Sequence, residues 1–274
     1  MNSATSNSQP PAKGTASDYN HIQCMVAVMS SMGGVGKSLV TSLLATGLAR
    51  NGYRIGILDA DITGPNISML FGLRAPVEPG ELGIQPLESK GGIKITSVNL
   101  LLGREDQPVI WRGSMIGKAI TQLWGDVMWG HLDYLLVDLP PGTADAALTT
   151  MQSLPVNGIV MVTTPQCLAS MVVRKAVHMA QAIGVPIIGV VENMAYFHCP
   201  ETNIRHFIFG PSHAAEIIEA AGVSLLAQLP IIIEVSDLCD KGKVEDVDFP
   251  KMADLLGAFL QVMPVQAHKN HERA

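Results

Sequence analysis

Three short segments hold the residue types that phosphate and divalent-metal chemistry need. The first is Ser31-Met32-Gly33-Gly34-Val35-Gly36-Lys37-Ser38, which follows the apolar run Met25-Val26-Ala27-Val28-Met29 and opens a helical pattern. Glycines let successive backbone amides turn toward one anion, Lys37 brings a positive charge to the β- and γ-phosphates, and the Ser38 hydroxyl is placed to ligate Mg²⁺ at a helix N-terminus. Gly33, Gly34, Val35, Gly36, Lys37 and Ser38 are therefore the candidate ATP-binding residues, with Lys37 also counted as catalytic. The general spacing G-x-x-x-x-G-K-[ST] asks for Gly at position 31, where this chain has Ser, so the loop is a variant. A ligand-free glycine-rich turn explains the glycines but not the Lys-Ser pair at the helix start.

The other two segments are acidic. Asp138 closes the apolar run Leu135-Leu136-Val137 and precedes Leu139-Pro140-Pro141-Gly142-Thr143, the arrangement by which a strand-end carboxylate holds Mg²⁺ directly or through water. Asp59-Ala60-Asp61 follows a second apolar run. Asp61 is the candidate for orienting or deprotonating the attacking water, and Asp59 for supporting the metal shell. An Asp after a strand is also a common turn or helix-cap residue, and only its pairing with the glycine loop gives it a catalytic reading.

These residues need elements that converge at one end. Apolar runs at 25–29, 54–58, 93–98, 134–137, 158–162 and 186–191 alternate with helical patterns at 38–50, 114–123 and 168–183. Near-continuous apolar strands separated by helices predict an α/β fold, a doubly wound and mostly parallel sheet with helices on both faces. Ligands in such sheets bind beyond the carboxyl ends of the strands, where all three segments fall. Residues 74–92 read as a loop or small hairpin. Residues 1–20, rich in Ser, Asn, Thr and Pro, read as a disordered tail, residues 21–264 as one ATPase domain, and 265–274 as a flexible tail.

Composition narrows the partners. A hydrophobic content of 47% over 274 residues supports a sizeable core, and a net charge of −6 with 18 Lys+Arg argues against binding to nucleic acid. No apolar stretch reaches the roughly 18 to 20 residues that span a bilayer. Cys24, Cys167, Cys199 and Cys239 form no C-x-x-C pair and no secretory signal precedes them, so a reducing cytoplasm is expected. Cys24, on an apolar strand, reads as core. Met252, Leu255, Leu256, Phe259, Leu260 and Met263 form a helical apolar stripe whose polar face lacks the cations of a membrane-binding helix, so packing against the sheet is expected.

The chain resembles the Mrp-type iron-sulfur carrier ATPases of the deviant Walker A group, which also holds MinD, ParA and the nitrogenase iron protein. The resemblance runs from about residue 25 to 245 through Gly33 to Ser38, Asp59-Ala60-Asp61-Ile62-Thr63-Gly64-Pro65-Asn66, Val109-Ile110-Trp111-Arg112-Gly113, Asp133-Tyr134 through Thr143, Thr164-Pro165-Gln166 and Val191-Glu192-Asn193-Met194 with Cys199-Pro200. It implies an ATP hydrolase that works as a homodimer, with two ATPs facing each other and a bridging [4Fe-4S] cluster handed to apo iron-sulfur client proteins. It also implies that Asn193 contacts adenine and Cys199 binds iron.

Two departures qualify that expectation. Met32 stands where the family's signature lysine reaches across the dimer, so hydrolysis is expected to be slow unless Arg74, Arg112 or Lys175 substitutes; a comparable trans cation contributes about 10³ to 10⁵ in rate. The family's Cys-Pro-x-Cys is here Cys199-Pro200-Glu201-Thr202, which leaves one thiolate per chain, with His198 and His206 close in sequence. A cluster of four irons usually takes four protein thiolates. Two further readings stay open: a nucleotide-gated scaffold dimer without a cluster, and a ParA/MinD-like positioning ATPase.

Overall fold

The computed structural model describes residues 16–266 apart from 31, 62–63, 78–79, 82, 98–112, 143–144 and 167. The first half runs β1 (His21–Ser30), α1 (Lys37–Arg50), β2 (Ile55–Asp59), α2 (Ile67–Leu70), β3 (Leu87–Glu88), β4 (Lys94–Ser97), α3 (Gly113–Gly125) and β5 (His131–Asp138). Then come α4 (Asp145–Ser153), β6 (Gly158–Thr163), α5 (Leu168–Ile183), β7 (Ile187–Glu192), β8 (Phe197–His198) and β9 (Arg205–His206). The chain ends on α6 (Ala214–Ala221), β10 (Leu225–Gln228), α7 (Ile233–Asp240) and α8 (Pro250–Val262).

Eight strands form one sheet in the order β10-β7-β6-β1-β5-β2-β4-β3, parallel throughout except where β3 pairs with β4. Side chains alternate across the sheet, so β1 sends Val26 and Val28 to one face and Met25, Ala27 and Met29 to the other. The first face is covered by α1 and α8, through Val40, Leu44, Leu48, Met252, Leu255 and Phe259. On the second face Ile120, Leu123, Met151, Val177 and Ala180 come from α3, α4 and α5. Covering both faces explains why the inner strands read as unbroken apolar runs. Each large side chain buried this way, such as Phe259, contributes about 1.5–3 kcal/mol.

The C-terminal stripe packs as expected: Met252, Leu255 and Phe259 are buried on α8, and Leu256 lies against Gly47 of α1. Cys24 is buried in the same core. No helix among the described residues is long and apolar enough to cross a membrane.

Placed structure begins at Ala16, inside the segment read from the sequence as an N-terminal tail. Ala16–Tyr19 form a 3-10 turn with Ala16 buried. The Asn20 side chain donates to the Val127 carbonyl at 2.8 Å and accepts from the Gly130 amide at 2.9 Å, fastening this segment to the residues ahead of β5. Residues 1–15 and 267–274, which hold the rest of both expected tails, lie outside the described residues.

Two features place the site. Strands β5 and β6 flank β1 on opposite sides, so the chain's path reverses there and leaves a crevice at the carboxyl end of β1. Asp59 and Asp138, the last residues of β2 and β5, are direct register partners.

Candidate nucleotide and metal site

The glycine loop leaves the end of β1 and enters α1 at Lys37. Gly34 and Gly36 have φ of 82° and 84°, a left-handed backbone that glycine adopts without strain. Gly36 is the N-cap of α1 and no side chain caps that end, so the first-turn N–H groups remain available to an anion. A Cβ on Gly36 would also collide with the Asn193 side-chain amide.

Lys37 is buried, 6% exposed, and its Nζ lies 2.7 Å from Asp138 Oδ2 and 3.8 Å from Asp61 Oδ2. The Ser38 hydroxyl donates to Asp138 Oδ2 at 2.6 Å and the Thr41 hydroxyl to Oδ1 at 2.8 Å. One carboxylate thus gathers the cation and both hydroxyls at the start of α1. Burial pushes the Asp138 carboxyl up, and the Lys37 charge with these bonds pulls it back. Ser38 and Asp138 present hard oxygen donors side by side, the donor type Mg²⁺ selects, so the residues fit that metal. When bound, Mg²⁺ neutralises phosphate charge; Ser38 and Asp138 would hold it.

Asp59 is fully buried beside Asp138. Its Oδ1 accepts from the Asp61 amide at 3.1 Å, and its Oδ2 from the Ile67 amide at 3.2 Å and the Ser97 hydroxyl at 3.1 Å. Burial, then the Asp138 charge, raises its carboxyl to about 8, against a smaller opposing pull from Lys37. These bonds place Asp59 as the post that ties β4 and the start of α2 to the strand end. Thr41 and Ser97 were not singled out in the sequence, since hydroxyls at those positions match no motif; the only signal was Thr41 lying one helical turn beyond Lys37.

Asn193 follows β7. Its side chain donates to the Val35 carbonyl at 2.9 Å and its amide to the Thr163 carbonyl at 2.8 Å, so it braces the glycine loop against the sheet. Gly33 through Ser38, Asp61 and Asn193 all line one cavity of about 990 Å³, together with Met32, Arg74, Val235, Cys239 and Lys241. That volume falls in the range of small-molecule sites. Asp59 and Asp138 are buried at its base. Burial and Asp240 raise the Cys239 thiol above its ordinary range.

Of the three cations considered as substitutes for the signature lysine, Arg74 lines this cavity. Lys175 is exposed on α5 and is absent from the lining, while Trp111 and Arg112 lie outside the described residues, as do Ile62, Thr63, Thr143 and Cys167.

Cys199 sits apart, on the turn of the short antiparallel hairpin β8–β9. Its amide donates to the Ile204 carbonyl and its carbonyl accepts from the Asn203 amide, closing the turn. The Thr202 hydroxyl and the Thr202 and Glu201 amides all stabilise the thiolate, lowering its pKa. Thr202, standing where a second cysteine would be expected, therefore acts as a donor to the first. His206 pairs across the hairpin with Phe197, and His198 with Arg205. Among the described residues no three His, Cys, Asp or Glu side chains form a metal-binding group.

A parallel sheet with a glycine loop at its switch point, a loop lysine and a strand-end aspartate defines a P-loop NTPase. The sequence matches the family model described as "ParA: NUBPL iron-transfer P-loop NTPase" over residues 21–262, and the chain belongs to that family. It is 43% identical over 249 residues to the iron-sulfur cluster carrier protein of Clostridium perfringens, covering 88% of this chain and 87% of the relative. The carrier protein of Saccharolobus solfataricus is 40% identical over 250 residues, covering 89% and 84%. A nucleotide-binding protein from Archaeoglobus fulgidus, solved in complex with ADP and with cobalt, superposes with a TM-score of 0.78 at 41% identity, over 90% of this chain and 94% of that one. The cell-division ATPase MinD of Pyrococcus furiosus shares the fold, with a TM-score of 0.65 at 19% identity over 88% and 99% of the two chains.

Proposed function

We propose that this protein is an ATP-dependent iron-sulfur cluster carrier that accepts a cluster as cargo and passes it to apo-proteins. The observation that carries the reading is the joint presence on one chain of the Lys37–Asp138–Ser38 constellation and of a Cys199 thiol whose ionisation is favoured by the Thr202 and Glu201 donors around it. The names of its relatives, carriers of iron-sulfur clusters, support the same assignment.

In this reading the loop amides and Lys37 hold the ATP phosphates, Ser38 and Asp138 hold Mg²⁺, and Asp61 orients the attacking water. Asn193, lining the cavity beside Val35, contacts the adenine. Asp59 organises the metal shell through its bonds rather than by reaching the phosphates. Hydrolysis is slow, because Met32 lines the cavity without a charge. The cargo is shared between two copies of the chain, since a [4Fe-4S] cluster wants more ligands than one Cys199 supplies. With two thiolates per dimer it is bound weakly and released readily. Cys24, Cys199 and Cys239 are free thiols, which suits a reducing cytoplasm.

The test is anaerobic reconstitution with iron and sulfide of the wild type and Cys199→Ala, read by visible absorption and by iron and sulfide content per dimer. A cluster in the wild type that is lost in Cys199→Ala is the expected result. No cluster in either overturns the carrier reading and favours a nucleotide-gated scaffold dimer, the alternative that Met32 and Thr202 would suit.

A further inference from the structure

Charge in the cavity is out of balance. Asp61 lines it and Asp138 is buried against Lys37, and a nucleoside triphosphate adds a polyanion, so further positive charge at this cavity favours phosphate binding. Three cationic side chains line the cavity among the described residues: Lys37, Lys241 and Arg74. Lys37 is engaged with Asp138 at 2.7 Å and Asp61 at 3.8 Å. Lys241 is engaged with Asp237 at 2.6 Å. Arg74 makes no ion pair or hydrogen bond with any other described residue.

The backbone that carries Arg74 is anchored. Leu73 donates its amide to the Ser68 carbonyl at 2.8 Å, closing the end of α2. Gly72, at φ 69°, abuts the loop after α7 so closely that a Cβ there would sit 2.9 Å from the Gly242 carbonyl oxygen. A guanidinium uncommitted among the described residues, on a fixed turn lining the cavity of the glycine loop, is a donor available to an acceptor. A guanidinium suits phosphate oxygens because its N–H groups form a planar fork that can donate two bonds at once.

We propose that Arg74 is a phosphate-binding residue of this site, supplying charge to the triphosphate of ATP in the cavity that the glycine loop also lines. The inference rests on the ATP-binding reading above and names a contact that reading lacks. It also accounts for a working site in a chain whose loop carries uncharged Met32.

The experiment measures equilibrium binding of ATP, ADP and adenosine, with Mg²⁺, to the full chain as wild type, Arg74→Ala, Arg74→Lys and Lys37→Ala. Arg74→Ala is expected to weaken ATP binding about tenfold, the scale of one charge-assisted hydrogen bond, while adenosine binding stays within about twofold. Arg74→Lys recovers part of the ATP loss, since charge returns without the fork. An unchanged thermal midpoint in Arg74→Ala, expected for an exposed side chain, excludes general damage. Equal losses for ATP and adenosine would assign Arg74 to the base and overturn the proposal, as would ATP affinity that Arg74→Ala leaves intact. If wild type binds ATP and only Lys37→Ala loses it, Arg74 alone is refuted; if the wild type binds no ATP, the nucleotide reading falls and the proposal with it.

Discussion

Lys37 Nζ lies 2.7 Å from Asp138 Oδ2, with the lysine 6% and the aspartate 0% exposed. The pair ties the glycine loop to the end of β5, so the residues proposed to meet phosphate and metal hold each other in place. Removing one member leaves the other charge buried. Lys37→Ala is expected to cost about 3–5 kcal/mol of folding stability, and Lys37→Met combined with Asp138→Asn less than Lys37→Ala alone. Lys37 is also the main influence holding the Asp138 carboxyl down. Its loss pushes that carboxyl higher in the folded chain, so the folded state binds the proton more tightly than the unfolded one and the penalty grows as pH rises. Urea unfolding of wild type, single and double variants at pH 6 and pH 8 checks both statements; a double variant no more stable than Lys37→Ala would refute the pairing.

Gly36 and Asn193 form the second lock. Gly36→Ala meets a left-handed φ of 84° and the Asn193 amide at once. The variant should lose ATP affinity by at least about tenfold and cost about 1–3 kcal/mol in stability from backbone strain. Gly36→Ala with Asn193→Ala removes the clash but not the strain, and Asn193→Ala also removes the bond to Val35. The double variant should therefore recover part of the stability and little of the affinity, by thermal melts and nucleotide titration. Full recovery of both would mean that the left-handed conformation is dispensable.

The legible parts of this chain were those fixed by local pattern. All six apolar runs became β1, β2, β4, β5, β6 and β7, because burial on two faces writes itself into consecutive residues; residues 74–92, read as a loop or small hairpin, hold β3, whose antiparallel partner β4 lies beyond them. Strand β10 was not read: its short Leu225–Gln228 pairs with β7 through an irregular register, and neither length nor alternation marks it. The β8–β9 hairpin is shorter still. At the site, the glycine loop, Asp138 and Asp61 were legible from type and spacing. The bond from Ser97 to Asp59 and the brace from Asn193 to Val35 were not, since each joins residues far apart in sequence.

Asp59 gives the folded chain a pH dependence of its own. Its carboxyl has an ordinary value of 3.8 and is raised to about 8 in the fold, first by burial and then by Asp138. The folded state therefore holds this proton where the unfolded chain has released it, and stability from this group is present below about pH 4 and lost as pH rises toward 8. Asp59→Asn removes the titration; Ser97 Oγ can turn to accept from the new amide. In metal-free buffer the variant should match the wild type near pH 4 and exceed it at pH 8, with a flatter stability profile between. A wild-type profile that rises with pH over this window would show that the three donors around Asp59 outweigh its burial.

Thr202 and Cys199 offer a test of how cargo affinity is set. The Thr202 hydroxyl donates to the Cys199 sulfur and helps keep the thiol's pKa low. Thr202→Val should shift the pH profile of Cys199 alkylation upward and slow alkylation at pH 7 by roughly threefold, because the thiolate is the reacting form. Thr202→Cys does the opposite chemistry, exchanging a donor for a second thiolate and completing Cys-Pro-Glu-Cys. Two copies of the chain then present four thiolates, the number a cluster of four irons usually takes. Reconstituted Thr202→Cys should retain iron and sulfide through gel filtration where the wild type loses them, and should release its cluster to an apo-ferredoxin more slowly. If both proteins retain and release cluster alike, the hydroxyl is not what makes this chain a weak holder, and ligands outside the hairpin must complete the site.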